Sequence, residues 1–256
     1  MSSNQFAPPP VPQMAPVKSS SKFPLIILIP ILAIMFLMCS GVLLGLLLPA
    51  VQAGREAARR MQCANNMKQI ALALHNYHAQ YKSLPPAYTT DENGNKLHSW
   101  RTLILPYLEQ QPLYSSIDLS KPWNDPVNQK YSEVVIPTYR CPSQDIPANQ
   151  TVYLAPSAPG TAFPGSEAIS FGDITDGLAN TILVVEVNQS HAVNWMEPTD
   201  ISPNDFVKMV TATGRVRTPH TGGRNVTNAD GSVMFWSDAS LSKQDYFRQF
   251  SIQAGD

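Results

Sequence analysis

Four groups of side chains in this sequence have types and spacings from which chemistry could be built. The first is His220, followed by Gly222 and Gly223 and, after nine intervening residues, by Asp230 and Gly231. An imidazole and a carboxylate at the two ends of a strand and its turn could hold a metal or a polar ligand. The plainer reading makes Asp230-Gly231 a tight turn and lets His220 bond nearby backbone. The second group is Asp173, Asp176 and Glu186, whose oxygens suit a hard cation such as calcium, although the spacing is not that of an EF-hand loop. The third is His75 and His78, three residues apart, so that a helix would put both on one face. Neither a third ligand nor an adjacent glutamate accompanies them, which favours packing and capping over metal binding. The fourth is Cys63 and Cys141. They pair if they lie in an oxidising compartment, and otherwise stay two separate small hydrophobes.

The usual catalytic signatures are missing. There is no glycine-rich phosphate loop, no G-x-S-x-G and no H-E-x-x-H. The expectation is therefore a protein without catalytic residues or cofactor. Its net charge is −1 and no basic stripe runs through the polar part, which argues against a nucleic-acid partner.

These residues must be positioned by elements that the hydropathy pattern outlines. Residues 1–22 hold five prolines and little apolar bulk, and read as a disordered tail. Residues 23–54 contain no charged residue. Within them, residues 25–48 would span about 36 Å as a helix, enough to cross a bilayer with some tilt. A cleavable signal peptide would have a shorter apolar stretch, so a retained anchor over 23–49 is expected. Cys39 falls inside it.

Beyond the anchor, Ala57, Met61, Ala64, Met67, Ile70 or Ala71, Leu74, His78 and Tyr81 recur at three- and four-residue steps, which predicts an amphipathic spine helix over 50–83. Leu84-Pro85-Pro86 stops it. Residues 98–110 predict a short helix broken near Pro106. Residues 134–139 predict an edge strand, and 144–168 a long surface excursion. Thr181 to Val187 is the best strand, being β-branched and apolar. Asp230-Gly231 between two alternating runs predicts a hairpin over 225–236, and 240–253 a closing helix.

Several of these pieces resemble a bacterial family named for its prepilin-type processing-associated domain, whose signature is His, nine residues, then Asp-Gly. The resemblance rests on His220 with Asp230-Gly231 and on further hallmarks along the chain. These are Leu48-Pro49-Ala50-Val51-Gln52-Ala53, Arg55-Glu56-Ala57-Ala58-Arg59-Arg60, Gln62-Cys63, Asn65-Asn66 and Leu74-His75-Asn76-Tyr77-His78, followed by Trp100-Arg101, Arg140-Cys141-Pro142-Ser143 and Asp176-Gly177 with Asn180-Thr181. The family implies an α+β, type IV pilin-like architecture. A long N-terminal helix, half in the membrane, packs on a small antiparallel sheet with loop-rich insertions, so that 50–256 form one globular domain.

The resemblance also implies an inner-membrane anchor with the C-terminal domain outside the cytoplasm. Charge counting opposes this. Lys18 and Lys22 precede the span, whereas Arg55, Arg59, Arg60 and Lys68 follow it. The family topology is preferred here, because the arginine cluster belongs to the motif. One departure matters. Lys22 stands where pilin precursors carry a glycine before their cleavage point, and Ile27 stands where they carry a glutamate. Processing and pilus assembly are therefore not expected.

The function expected is a single-pass, non-enzymatic, pilin- or pseudopilin-like protein of the bacterial envelope, with the lipid bilayer and envelope proteins as partners. The alternative is a tethered solute- or ligand-binding module. A pocket walled by Trp100, Trp195 or Trp236 would favour binding, and an exposed apolar sheet edge would favour assembly.

Overall fold

The computed structural model describes residues 25–211, 218–237 and 243–253. The proline-rich segment 1–22 and the junction at Lys22 lie outside the described residues. The chain divides into two units, 1–52 and 53–256.

In the first unit the described residues belong to α1 (Leu25–Tyr81), whose helix continues into the second. Pro30 and Pro49 sit inside it. Its side chains here face outward: Phe36 is 73% exposed and Leu46 70%. Apolar side chains turned outward all round a charge-free helix match a lipid-facing surface. Among the described residues this is the one helix long and apolar enough to cross a membrane.

The second unit is α+β. After α1 come a small hairpin of β1 (Tyr88–Thr90) and β2 (Lys96–Ser99), then α2 (Trp100–Leu103), α3 (Gln111–Ser116) and α4 (Pro126–Ser132). Two short strands follow, β3 (Gln150–Thr151) and β4 (Tyr153–Leu154), then β5 (Ile182–Glu186), β6 (Val193–Asn194), α5 (Pro203–Thr211), β7 (Gly223–Asn228), β8 (Val233–Ser237) and α6 (Lys243–Phe250). The main sheet has four antiparallel strands in the order β4-β5-β7-β8.

One buried cluster joins Met67, Ile70 and Leu74 of α1 to Ile182, Val184 and Val226 of the sheet. Strand β5 is buried along its whole length, as a central strand covered on both faces should be. The buried face of α1 keeps the expected Met67, Ile70, Ala71 and Leu74 but departs from the stripe nearer the span. Met61 is 66% exposed, while Cys63, Asn66, Met67, Ile70, Ala73 and Leu74 are buried. The stripe is rotated because Cys63 and Asn66 have partners across the domain, and those partners outweigh the transfer of one methionine.

Three other expectations change. Residues 134–139 form no strand. Pro137 begins a 3-10 turn, since it has no N–H for a ladder and its ring fixes φ. Residues 144–168 are not a surface excursion, for Val152, Tyr153, Leu154, Ala155 and Phe163 are in the core and β4 edges the main sheet. The helix expected over 98–110 starts later, because 98–99 belong to β2, while its expected break near Pro106 stands, with α2 ending at Leu103 and a 3-10 turn over Leu105–Leu108.

Candidate functional site

The hairpin β7–β8 and the spine helix meet at two stations. From Glu56 to His75 along α1 is about 28 Å. Of the ten-residue step from His220 to Asp230 only β7 (Gly223–Asn228) is extended, about 20 Å, and tight turns close it at His220–Gly223 and at Asn228–Gly231.

At the far station Asp230-Gly231 makes the turn. Asp230 N–H donates to Leu178 O at 3.1 Å, and Ser232 N–H donates to Asp230 Oδ1 at 2.8 Å. Gly231 has φ 83°, and a Cβ there would lie 3.5 Å from His75 Nε2. His75 and His78 do not converge on a shared ligand. Both rings lie against Phe171, at 4.6 and 4.4 Å between centroids, and His78 Nε2 accepts from Phe171 N–H at 3.3 Å. Burial pushes the His78 pKa down, consistent with a neutral acceptor.

At the near station lies His220, whose side chain is fully buried. Its Nδ1 is 3.0 Å from Glu56 Oε1 and its Nε2 is 3.2 Å from Glu186 Oε2. Doubly protonated, the ring donates to both carboxylates. The histidine reaches this place because Gly223 lets the strand pass close. A Cβ on Gly223 would sit 1.9 Å from Trp236 O. Glu186 closes β5 and is fully buried. Its Oε2 accepts from the backbone N–H and the Nδ2 of Asn225, each at 3.1 Å, while its Oε1 is buried without a hydrogen-bond partner.

Glu56 is also held by Arg59, at 2.9 Å from Nε, and by Ser143 Oγ at 3.2 Å. Burial acts to raise the Glu56 pKa, but the bonds from His220, Arg59 and Ser143 outweigh it and hold the carboxyl below its ordinary value. Burial likewise opposes protonation of His220. The bond to Glu186 and its charge, then those of Glu56, outweigh burial and raise the imidazole pKa.

Beside this pair Cys63 of α1 is disulfide-bonded to Cys141, with 5.2 Å between Cα atoms. Asn66, one turn along, donates to Arg140 O at 2.7 Å, so the Arg140-to-Ser143 segment is fixed to the helix at three points. The ligand-type atoms of Cys63, Cys141, Glu186 and His220 all lie within 4.8 Å of one another, and all four residues are buried. A cleft of about 370 Å³ opens alongside, with Glu56, Ser143, Gln189, Thr218 and His220 in its wall.

The acidic trio Asp173, Asp176 and Glu186 is not assembled. Asp173 closes a capping box with Ser170, and Asp176 precedes β5, whereas Glu186 is at that strand's other end beside Asn225 and His220. Glu56 and Asn225 were not singled out as site residues from the sequence. A usable signal for Glu56 existed: it is the one acidic residue in the first ninety positions. A carboxylate alone in such a stretch, beside three arginines, wants a partner from far along the chain.

Residues 52–167 match the model of a family described as Protein of unknown function (DUF1559). The match takes in Glu56, Cys63, Asn66 and Cys141 and ends before Glu186 and His220. Neither a curated protein nor a solved structure matches the chain.

Proposed function

We propose that this protein is a single-pass, non-enzymatic envelope protein of pilin-like build, anchored in the inner membrane with its α+β domain outside the cytoplasm, where it serves structure or protein contact. The observation that carries the reading is a charge-free, outward-facing apolar helix leading into a domain joined by the Cys63–Cys141 disulfide. Disulfides persist in oxidising compartments and are rare in a reducing cytosol. This favours the outside location over the placement that Arg55, Arg59 and Arg60 would suggest.

Two further features support contact over solute binding. Trp100 and Trp195 are fully buried with their indole N–H groups bonded to Asp200 Oδ1 and Val134 O, and Trp236 is buried too, so none offers an open aromatic wall. Meanwhile β8, at one end of the main sheet, carries Val233, Met234 and Phe235, with Met234 40% exposed. An apolar edge strand suits pairing with another chain.

The topology is tested by fusing a reporter enzyme that works only outside the cytoplasm after Asp256 of the full chain. Activity is expected. A fusion active only as a cytoplasmic reporter would overturn the placement. Cross-linking of the anchored protein in membranes tests the contact role: recovery of the uncross-linked monomer alone would count against it.

A further inference from the structure

The near station holds more ligating chemistry than a structural staple needs. Two sulfurs, an imidazole nitrogen and a carboxylate, all buried, lie within 4.8 Å of one another. They come from four separate places: Cys63 on α1, Cys141 in a loop, Glu186 at the end of β5, and His220 before β7. In a tetrahedral zinc-type site, metal–ligand distances of 2.0–2.3 Å imply ligand–ligand separations of about 3.3–3.8 Å. The outermost pair must close by about 1 Å, and the two sulfurs, bonded to each other here, must part once reduced.

Two details point to a ligand. Glu186 Oε1 is buried without a partner, a costly state for a carboxylate oxygen unless something positively charged completes it. The inward Nε2 of His220, now 3.2 Å from both Glu186 Oε2 and Asn225 Nδ2, would exchange those contacts for the metal, and the ring's Nδ1 faces Glu56 at 3.0 Å. That is the outer carboxylate–histidine arrangement that orients a metal-binding imidazole. Asn225 in turn steadies Glu186 through Oε2.

We propose that the dithiol form of this site binds one divalent metal ion of zinc type. The ligands are the Sγ atoms of Cys63 and Cys141, Nε2 of His220 and the carboxylate of Glu186, with Glu56 as a positioning residue. The disulfide and the metal are alternative occupants of the same two sulfurs. Conversion needs a disulfide-bearing oxidant, protein or small molecule. The two metal-bound thiolates give up two electrons and form the Cys63–Cys141 bond. The oxidant's S–S bond breaks to two thiolates, the metal ion leaves for solvent, and His220 Nε2 takes a proton from water. The cleft beside Glu56 and His220 supplies a way in and out. Thiolate and imidazole donors favour zinc over magnesium or calcium.

The test uses the full chain in detergent micelles, reduced and then freed of reductant under nitrogen, titrated with cobalt(II). One equivalent is expected to give the intense visible bands of tetrahedral cobalt with thiolate-to-cobalt charge transfer, and zinc should bleach them. The oxidised chain should give neither. Glu56→Gln should weaken cobalt binding about tenfold or more while keeping the tetrahedral spectrum. Glu186→Gln and His220→Gln should change the spectrum itself. A pale octahedral spectrum, or identical titrations in wild type and both ligand variants, would overturn the proposal. Should the reduced chain or a variant lose its fold, thermal melts decide instead. Zinc is expected to raise the Tm of the reduced wild type and leave the oxidised protein unchanged, and no zinc-dependent rise in the reduced chain would reject the site.

Discussion

Two buried polar clusters stabilise the α+β domain, and they are built on opposite principles. In the first, the Arg101 guanidinium lies fully buried between Asp200 Oδ1, at 2.7 Å, and the carbonyls of Trp195, Glu197 and Thr199 at 2.8–3.1 Å. Asp200 Oδ1 also accepts from Trp100 Nε1 and Ala155 N–H. Every nitrogen of the guanidinium has an acceptor. In the second, Glu186 and His220 are equally buried, yet Oε1 of Glu186 is left bare. A satisfied network rigidifies, while a partly satisfied one signals strain, a missing occupant or a chemical role. The first cluster ties the 195–200 loop to α2, and the second has capacity to spare.

This contrast can be broken by measurement. The largest loss is expected for Arg101→Met, about 5 kcal/mol in denaturant unfolding, because it strands Asp200 and several carbonyls in the core. Replacing Cys63 and Cys141 by alanine releases a crosslink between residues 78 apart and should cost about 4 kcal/mol in the metal-free protein. Glu186→Gln should cost less than either, about 2 kcal/mol, since one of its oxygens has no bond to lose. A loss as large as that of Arg101→Met would erase the distinction between the clusters. Gly231→Ala should cost about 1 kcal/mol for its left-handed backbone, read as a lower midpoint with unchanged m-value.

The smallest expected effect is a pH dependence of the Glu56–His220 pair in the oxidised, metal-free protein. His220 is raised in the fold, so its contribution is complete below its ordinary value of 6.5 and is lost as pH climbs through the raised one. Glu56 is lowered, so its contribution is complete above its ordinary value of 4.5 and is lost as pH falls through the lowered one. The Tm gap between wild type and Glu56→Gln should be widest between those two values and narrow on both sides. Arg59 and Glu186 are the other charged groups in contact with the pair. A gap independent of pH would mean that the two groups do not act as an ion pair.

Local pattern foretold much of the frame. The charge-free run, the strand at Ile182–Glu186 and the Asp230-Gly231 hairpin are written in periodicity and turn chemistry, which need no distant partner. What escaped were features decided at long range. Met61 repeats at helical spacing and still faces solvent, because Cys63 and Asn66 set the rotation of the helix through Cys141 and Arg140. Val152 to Ala155 read as part of a proline-rich loop, yet they are core, since burial there follows from pairing with β5. Helix α5 was not foreseen at all.

By itself, then, the sequence determined an apolar membrane-length helix, the run of strands and turns behind it, and a set of histidine, cysteine and acidic residues. Which of these would meet was a tertiary decision. Glu186 left its expected companions Asp173 and Asp176 because a strand carries its two ends apart by about 3.3 Å per residue. It joined His220, Cys63 and Cys141, far away along the chain, because antiparallel pairing of β5 with β7 and the docking of both on one helix fold those distances to a few ångströms.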